Sequence, residues 1–184
     1  MRIGIKRKLL AFSFINFAFL FASTFASDSD KAPFQYVWGT AHHVLPTTHS
    51  DESGYFSLCE GNDGRIYIGT AKYNHNAYLV EFDPVTTEQR IVIDAHKVCE
   101  LDANGFAAQA KIHTRNFVGP SGIIYVGTKQ GYAKEGDNSK YPGGYLITYD
   151  PRNDKASNLG MPYKEQGIAD VVADEDRGLI YVVT

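Results

Sequence analysis

A short motif that occurs three times constrains the fold of this chain most strongly. Its copies, at residues 64–70, 122–128 and 178–184, begin with Gly, carry Ile-Tyr in the middle and start 58 and 56 residues apart. A second motif with an Asp-Pro ending recurs at residues 78–84 and 145–151. Short apolar runs bounded by Gly, Asn, Asp or Pro are typical of β-strands joined by tight turns. A repeat of this length with several short strands predicts the blades of a β-propeller.

The repeat predicts four-stranded blades at about 54–94 and 112–159, followed by an incomplete blade at 168–184. Among the expected strands are 65–70, 88–94 and one near 114–119, and a long loop is expected at 95–113. An all-β class also agrees with 12 Tyr, 11 Phe and 17 Gly among 184 residues, because aromatic residues favour strands. Propellers typically carry four to eight blades, since closure of the ring removes exposed sheet edges. Fewer than three blades therefore indicate a fragment, whose expected partner is the missing remainder of the propeller.

The N-terminal residues have the pattern of a signal peptide. Arg2, Lys6, Arg7 and Lys8 precede an apolar run at 9–22, and small residues then occupy the two positions that a signal peptidase reads, 24 and 26. A basic start, a short apolar run and a small-residue cleavage site predict secretory export of residues 1–26. We expect a bacterial periplasmic or secreted protein with no membrane segment after cleavage. Residues 27–53 form a lead-in or cap segment before the first blade.

Two cysteines, Cys59 and Cys99, remain in the exported part. In an oxidising compartment they can form a disulfide. Alternatively, they are two buried thiols that pack as small apolar side chains. The formal net charge of −3 gives no general reason to expect a nucleic-acid partner.

The repeated motifs resemble those of a broad group of bacterial β-propellers, over roughly residues 54–184. This group includes gluconolactonase-like lactone hydrolases, the virginiamycin B lyase family, and polysaccharide lyases of the oligogalacturonate and ulvan type. The resemblance lies in turn and core residues, so it implies the fold more specifically than the activity.

The predicted blades place their long connections on one face, where function usually concentrates. Between Lys111 and Lys140 there are five basic residues and two acidic ones. A locally basic surface on an acidic chain favours an anionic ligand. The substrate-binding candidates on this face are Lys111, Lys129 and His96. The catalytic candidates are His113, Arg115, Tyr132 and Tyr141.

These residue types fit β-elimination on an anionic polysaccharide or oligosaccharide, which is the first functional hypothesis. A base such as His113 removes the proton beside a uronate carboxylate, and Arg115 or Lys129 neutralises that carboxylate. Tyr132 or Tyr141 then protonates the leaving oxygen. A non-catalytic binding or scaffold propeller is the second hypothesis. The third is a lactonase-like hydrolase with a divalent metal, for which Glu60 and Asp170 are the nearest ligands; no other cofactor is expected.

Overall fold

The computed structural model describes residues 2–3, 39–48, 50–52 and 57–184, and the chain divides into units Met1–His43 and Val44–Thr184. In the first unit, β1 (Arg2–Ile3) pairs antiparallel with β2 (Gly39–Thr40). Nearly all of the predicted signal peptide lies outside the described residues, and so does the part of the predicted lead-in that precedes residue 39.

The second unit contains three consecutive antiparallel sheets. The first sheet has the strand order β3-β4-β5-β6, with β3 at Leu58–Glu60, β4 at Ile66–Gly69, β5 at Tyr78–Phe82 and β6 at Gln89–Asp94. The strands follow one another in sequence, as expected where apolar runs are separated by short turns.

The second sheet comprises β7 (Lys111–Ile112), β8 (Phe117–Val118), β9 (Ile124–Lys129), β10 (Leu146–Asp150) and β11 (Lys155–Gly160). Both β7 and β8 pair with β9, so the single strand expected near 114–119 is interrupted. Asn116 lies in the interruption with a φ of 56°, a left-handed conformation that no regular strand contains. The third sheet pairs β12 (Asp170–Asp174) with β13 (Leu179–Val183).

Among the described residues of the second unit, the helical segments are short: α1 (Ala95–Val98) and two 3-10 turns, Pro46–Thr48 and Gly105–Ala107. The region after β6 was expected to be a plain loop, but α1 begins there because the Asp94 carboxylate accepts a hydrogen bond from the Lys97 N–H. With antiparallel sheets dominating the described residues, the predicted all-β class is confirmed.

The first glycine of each motif copy has the same structural role. Gly64, Gly122 and Gly178 adopt φ values of 77°, 86° and 64° in the hairpins that precede β4, β9 and β13. A side chain is disfavoured at positive φ, so each tight turn selects glycine. The sequence repeat is therefore also a repeat of hairpin structure.

The sheets pack face to face through two apolar layers. Tyr67, Leu79 and Ile93 of the first sheet meet Ile124, Val126, Ile147 and Tyr149 of the second sheet in one layer. Tyr125 and Leu146, which point to the opposite face of the second sheet, pack with Val171 and Ala173 of β12 in the other. This division follows from the period of two along a strand.

The two cysteines are free thiols and the disulfide is not formed. Cys59 lies on β3, and Cys99 follows α1 as its C-cap residue. Both cysteines belong to the first apolar layer, Cys99 as a buried member and Cys59 as a partly buried side chain packed against it. Burial raises the pKa of both thiols to about 12, with Asp63 contributing at Cys59.

Candidate functional site

The candidate site forms where the β4–β5 connection meets β7 and the end of β9. The connection is fixed to β7 because the Lys72 N–H donates to the Ala110 carbonyl at 3.0 Å, and Ala71 forms a β-bridge with Lys111. On the other side of β7, Lys111 lies directly opposite Lys129 of β9. Backbone pairing therefore brings two lysines together.

The Lys111 side chain is unusually enclosed for a lysine, with 8% of the residue exposed. Its Nζ lies 4.5 Å from the ring centre of Tyr73 and 5.3 Å from that of Tyr132. The two rings contact each other edge to face, with centroids 5.0 Å apart. These cation–π contacts hold the ammonium without neutralising its charge.

Among the residues that the structure describes, no carboxylate forms an ion pair with Lys111 or Lys129. The nearby Lys72 is different, since its Nζ pairs with Asp51 at 2.8 Å. Burying an ammonium without an anion is unfavourable. The arrangement of Lys111 is thus chemically suited to receive an anionic group from a ligand.

His113 shares this environment. Its backbone N–H donates to the Gly127 carbonyl at 3.2 Å, which holds it beside β9. Burial lowers the pKa of the imidazole, and the charges of Lys111 and Lys129 lower it further. The imidazole is therefore mainly neutral at pH 7 and able to accept a proton. We call Tyr73, Lys111, His113, Lys129 and Tyr132 the basic–tyrosine cluster.

Four residues proposed from the sequence, Lys111, His113, Lys129 and Tyr132, come together in this cluster. Arg115 is placed elsewhere, because its exposed guanidinium donates to Asp170, with Nε 3.0 Å from Oδ2. This pair joins the second sheet to the third, so Arg115 already has an anionic partner.

Tyr141 and His96 are held by one buried residue that sequence analysis did not select, Gln109. The Gln109 Oε1 accepts hydrogen bonds from Tyr141 and Thr128, both at 2.7 Å, and its backbone N–H donates to His96 Nε2 at 3.0 Å. Burial raises the pKa of Tyr141 and lowers that of His96. These side chains thus stabilise the loops, and their proposed roles in chemistry stay predictions.

Tyr73 was also missed, although its position in the first long connection was a usable signal. The Gln109 side chain offered only the weak signal of a polar residue between alanines.

The proposed metal ligands do not form a recognisable centre. Asp170 is engaged by Arg115, and Glu60 is exposed at the end of β3. Within residues 2–3, 39–48, 50–52 and 57–184, no group of three or more His, Cys, Asp or Glu side chains is arranged to hold a metal ion.

Searches for similarity found no match to this chain among models of protein families, curated proteins or solved structures. In the part of the chain that the structure describes, no helix has the length and apolar character needed to span a membrane.

Proposed function

We propose that the three sheets are successive blades of an exported β-propeller. The supporting observation is the common direction of the motif tyrosines: Tyr67 packs toward the second sheet, and Tyr125 packs toward the third. Tyr181 has the same position on β13 and is exposed. A further blade packed against that side of β13 would cover Tyr181, as the second and third sheets cover Tyr67 and Tyr125. Export rests on the pattern of residues 1–26.

We further propose that the basic–tyrosine cluster binds an anionic polysaccharide through a carboxylate of an acidic sugar. The observation that carries this proposal is the enclosed Lys111 ammonium, which contacts two tyrosine rings and no described carboxylate. Lys129 adds a second positive charge on the neighbouring strand. Tyr132, which is largely exposed, offers a flat apolar surface against which a sugar ring packs.

Replacing Lys111 with Met tests this proposal, because Met keeps the apolar stem and removes the charge. We expect binding to polygalacturonate to weaken roughly ten- to a hundredfold, as for loss of one charge-assisted hydrogen bond of about 1.5–3 kcal/mol. Affinity electrophoresis and titration calorimetry measure the change, with dextran as the neutral polymer. Lys155→Met, on the exposed start of β11, is the matched control. Equal binding by wild type and both variants would contradict the proposed site.

Cleavage by β-elimination is the second candidate function, favoured by the neutral state of His113 beside two cations. His113 takes the proton from the carbon beside the uronate carboxylate, while Lys111 or Lys129 neutralises that carboxylate. The electron pair of the broken C–H bond forms a C=C bond, the C–O bond to the next sugar breaks, and Tyr132 protonates the leaving oxygen. Every proton and electron pair is thereby accounted for without a cofactor.

If His113 is the base, polygalacturonate treated with the protein will yield unsaturated products that absorb in the ultraviolet. Activity will fall as the pH drops through the lowered pKa of His113, because protonation removes the accepting lone pair. His113→Gln will abolish product formation while polymer binding persists. Product formation unchanged in His113→Gln would rule out this role, and binding without products would leave the protein a binding module.

A further inference from the structure

A separate cavity opens beside the basic–tyrosine cluster. It has a volume of about 320 Å³, which is at the lower end of the range for small-molecule sites. Its walls are Phe106, Gln130, Ser139, Lys140, Tyr141 and Glu165. The long connection after β9 therefore contributes to both the cluster and the cavity. It carries Tyr132 of the cluster, and Ser139, Lys140 and Tyr141 further along it line the cavity.

Gln130 links the cavity to the cluster. It follows Lys129 directly, and the side chains of both residues converge on Gly167, where an added Cβ would collide with each of them. The glycine thus makes room for the two side chains to lie side by side. The wall of the cavity therefore begins at the residue next to Lys129.

The Gln130 side chain also has an unsatisfied hydrogen-bond acceptor. Its Oε1 is buried and has no hydrogen-bond partner in the structure. A buried carbonyl oxygen without a donor is unfavourable, and such groups are usually paired. An entering hydroxyl group supplies the missing donor.

The remaining walls suit a polyol better than a second anion. One basic side chain, Lys140, is balanced by one acidic side chain, Glu165, and Ser139 adds a hydroxyl group. Phe106 packs near Tyr141 with ring centroids 6.2 Å apart, which gives the cavity an apolar wall. A flat apolar wall with polar groups around it matches a sugar ring with its hydroxyls.

We propose that this cavity binds an uncharged sugar unit adjacent to the acidic unit held by the basic–tyrosine cluster. This inference rests on the proposed function of the cluster. It predicts that a polysaccharide in which acidic and neutral sugars are neighbours binds more tightly than a polymer of acidic sugars alone.

Calorimetry with three small probes tests the inference on the full chain: glucuronate, a disaccharide of glucuronate and glucose, and a diuronate. We expect the mixed disaccharide to bind wild type about tenfold more tightly than glucuronate or the diuronate, as for one or two added hydrogen bonds. Gln130→Met removes the acceptor, and Ser139→Trp blocks the cavity from an exposed loop position. Both variants will bind the mixed disaccharide only as well as glucuronate. Asn138→Trp, at the exposed neighbouring position outside the cavity wall, will keep the tenfold difference.

The outcomes separate the two proposals. Equal binding of glucuronate and the mixed disaccharide by wild type, or a preference unchanged in both variants, overturns the neutral subsite while the anion site stands. A diuronate that binds as tightly as the mixed disaccharide overturns the choice of an uncharged unit. Absence of binding by all three probes overturns the proposed function and this inference together.

Discussion

Replacing Tyr67 with Ala is expected to lower the free energy of unfolding by about 3–5 kcal/mol, as for other large aromatic side chains removed from a core. The same replacement at Tyr181 will change it by less than about 0.5 kcal/mol, as is usual at surface positions. Both tyrosines occupy the fourth position of the repeated motif. Urea denaturation of the two variants measures the difference.

The contrast follows from what covers each side chain. Tyr67 is fully buried, packs with its ring centroid 5.8 Å from that of Tyr149, and donates its hydroxyl to Asp63 at 2.8 Å. Tyr125 is 8% exposed and lies in the second apolar layer. Tyr181 is 54% exposed on the outer side of β13. Tyr125→Ala is therefore expected to lower the free energy of unfolding by an amount similar to that for Tyr67→Ala. Similar losses at Tyr67 and Tyr181 would show that a further sheet covers β13 in solution.

Replacing Arg90 with Met is expected to cost about 2 kcal/mol of stability, because hydrogen bonds to charged groups contribute about 1.5–3 kcal/mol. Partial exposure of the guanidinium reduces the cost below that of a fully buried pair. Arg152→Met is the matched control and will cost less than Arg90→Met, since Arg152 pairs with Asp150 within one exposed turn. Thermal and urea unfolding report both values.

Arg90 has this effect because it joins two sheets. Its Nε donates to the buried Glu81 carboxylate at 2.8 Å within the first sheet. Its other nitrogens donate to Asp154 at 2.7 Å and to the Tyr149 hydroxyl at 2.8 Å in the second sheet. These bonds raise the pKa of Arg90 and lower that of Asp154. A cost for Arg90→Met no greater than that for Arg152→Met would mean that the Arg90 hydrogen bonds do not help to hold the two sheets together.

The strands of the repeat were predictable because their signals are local. Residues 65–70 were expected to form a strand and β4 covers Ile66–Gly69, while residues 88–94 were expected and β6 covers Gln89–Asp94. Alternation of side chains and turn-forming glycines act within a few residues. The interruption at Asn116 depends instead on distant contacts, since Asn116 accepts a hydrogen bond from Ser57, 59 residues away. The short helix α1 begins at a local capping residue, Asp94, that was not recognised in the sequence.

The candidate site was predictable only in part, for the same reason. Lys111 and Lys129 were grouped by the excess of basic residues at 111–140, but the β7–β9 pairing that brings them together was not predicted, because Lys111 precedes the expected blade at 112–159. Arg115 and Tyr141 were drawn away by partners 55 and 32 residues distant, Asp170 and Gln109. Residue type gave no information about these partners, and the chemical roles proposed for the two side chains stay predictions.

By itself, the sequence determined the all-β class, the strand positions and the glycine turns, because backbone preference and the period of two are properties of short segments. Only the tertiary structure decided which side chains are buried and which meet. The three motif tyrosines have the same position in similar local sequences, yet packing by the following sheet buries Tyr67 and Tyr125, whereas Tyr181 is exposed. The enclosure of Lys111 by Tyr73 and Tyr132 has the same origin, since it depends on two connections that are distant in the chain and adjacent in the fold.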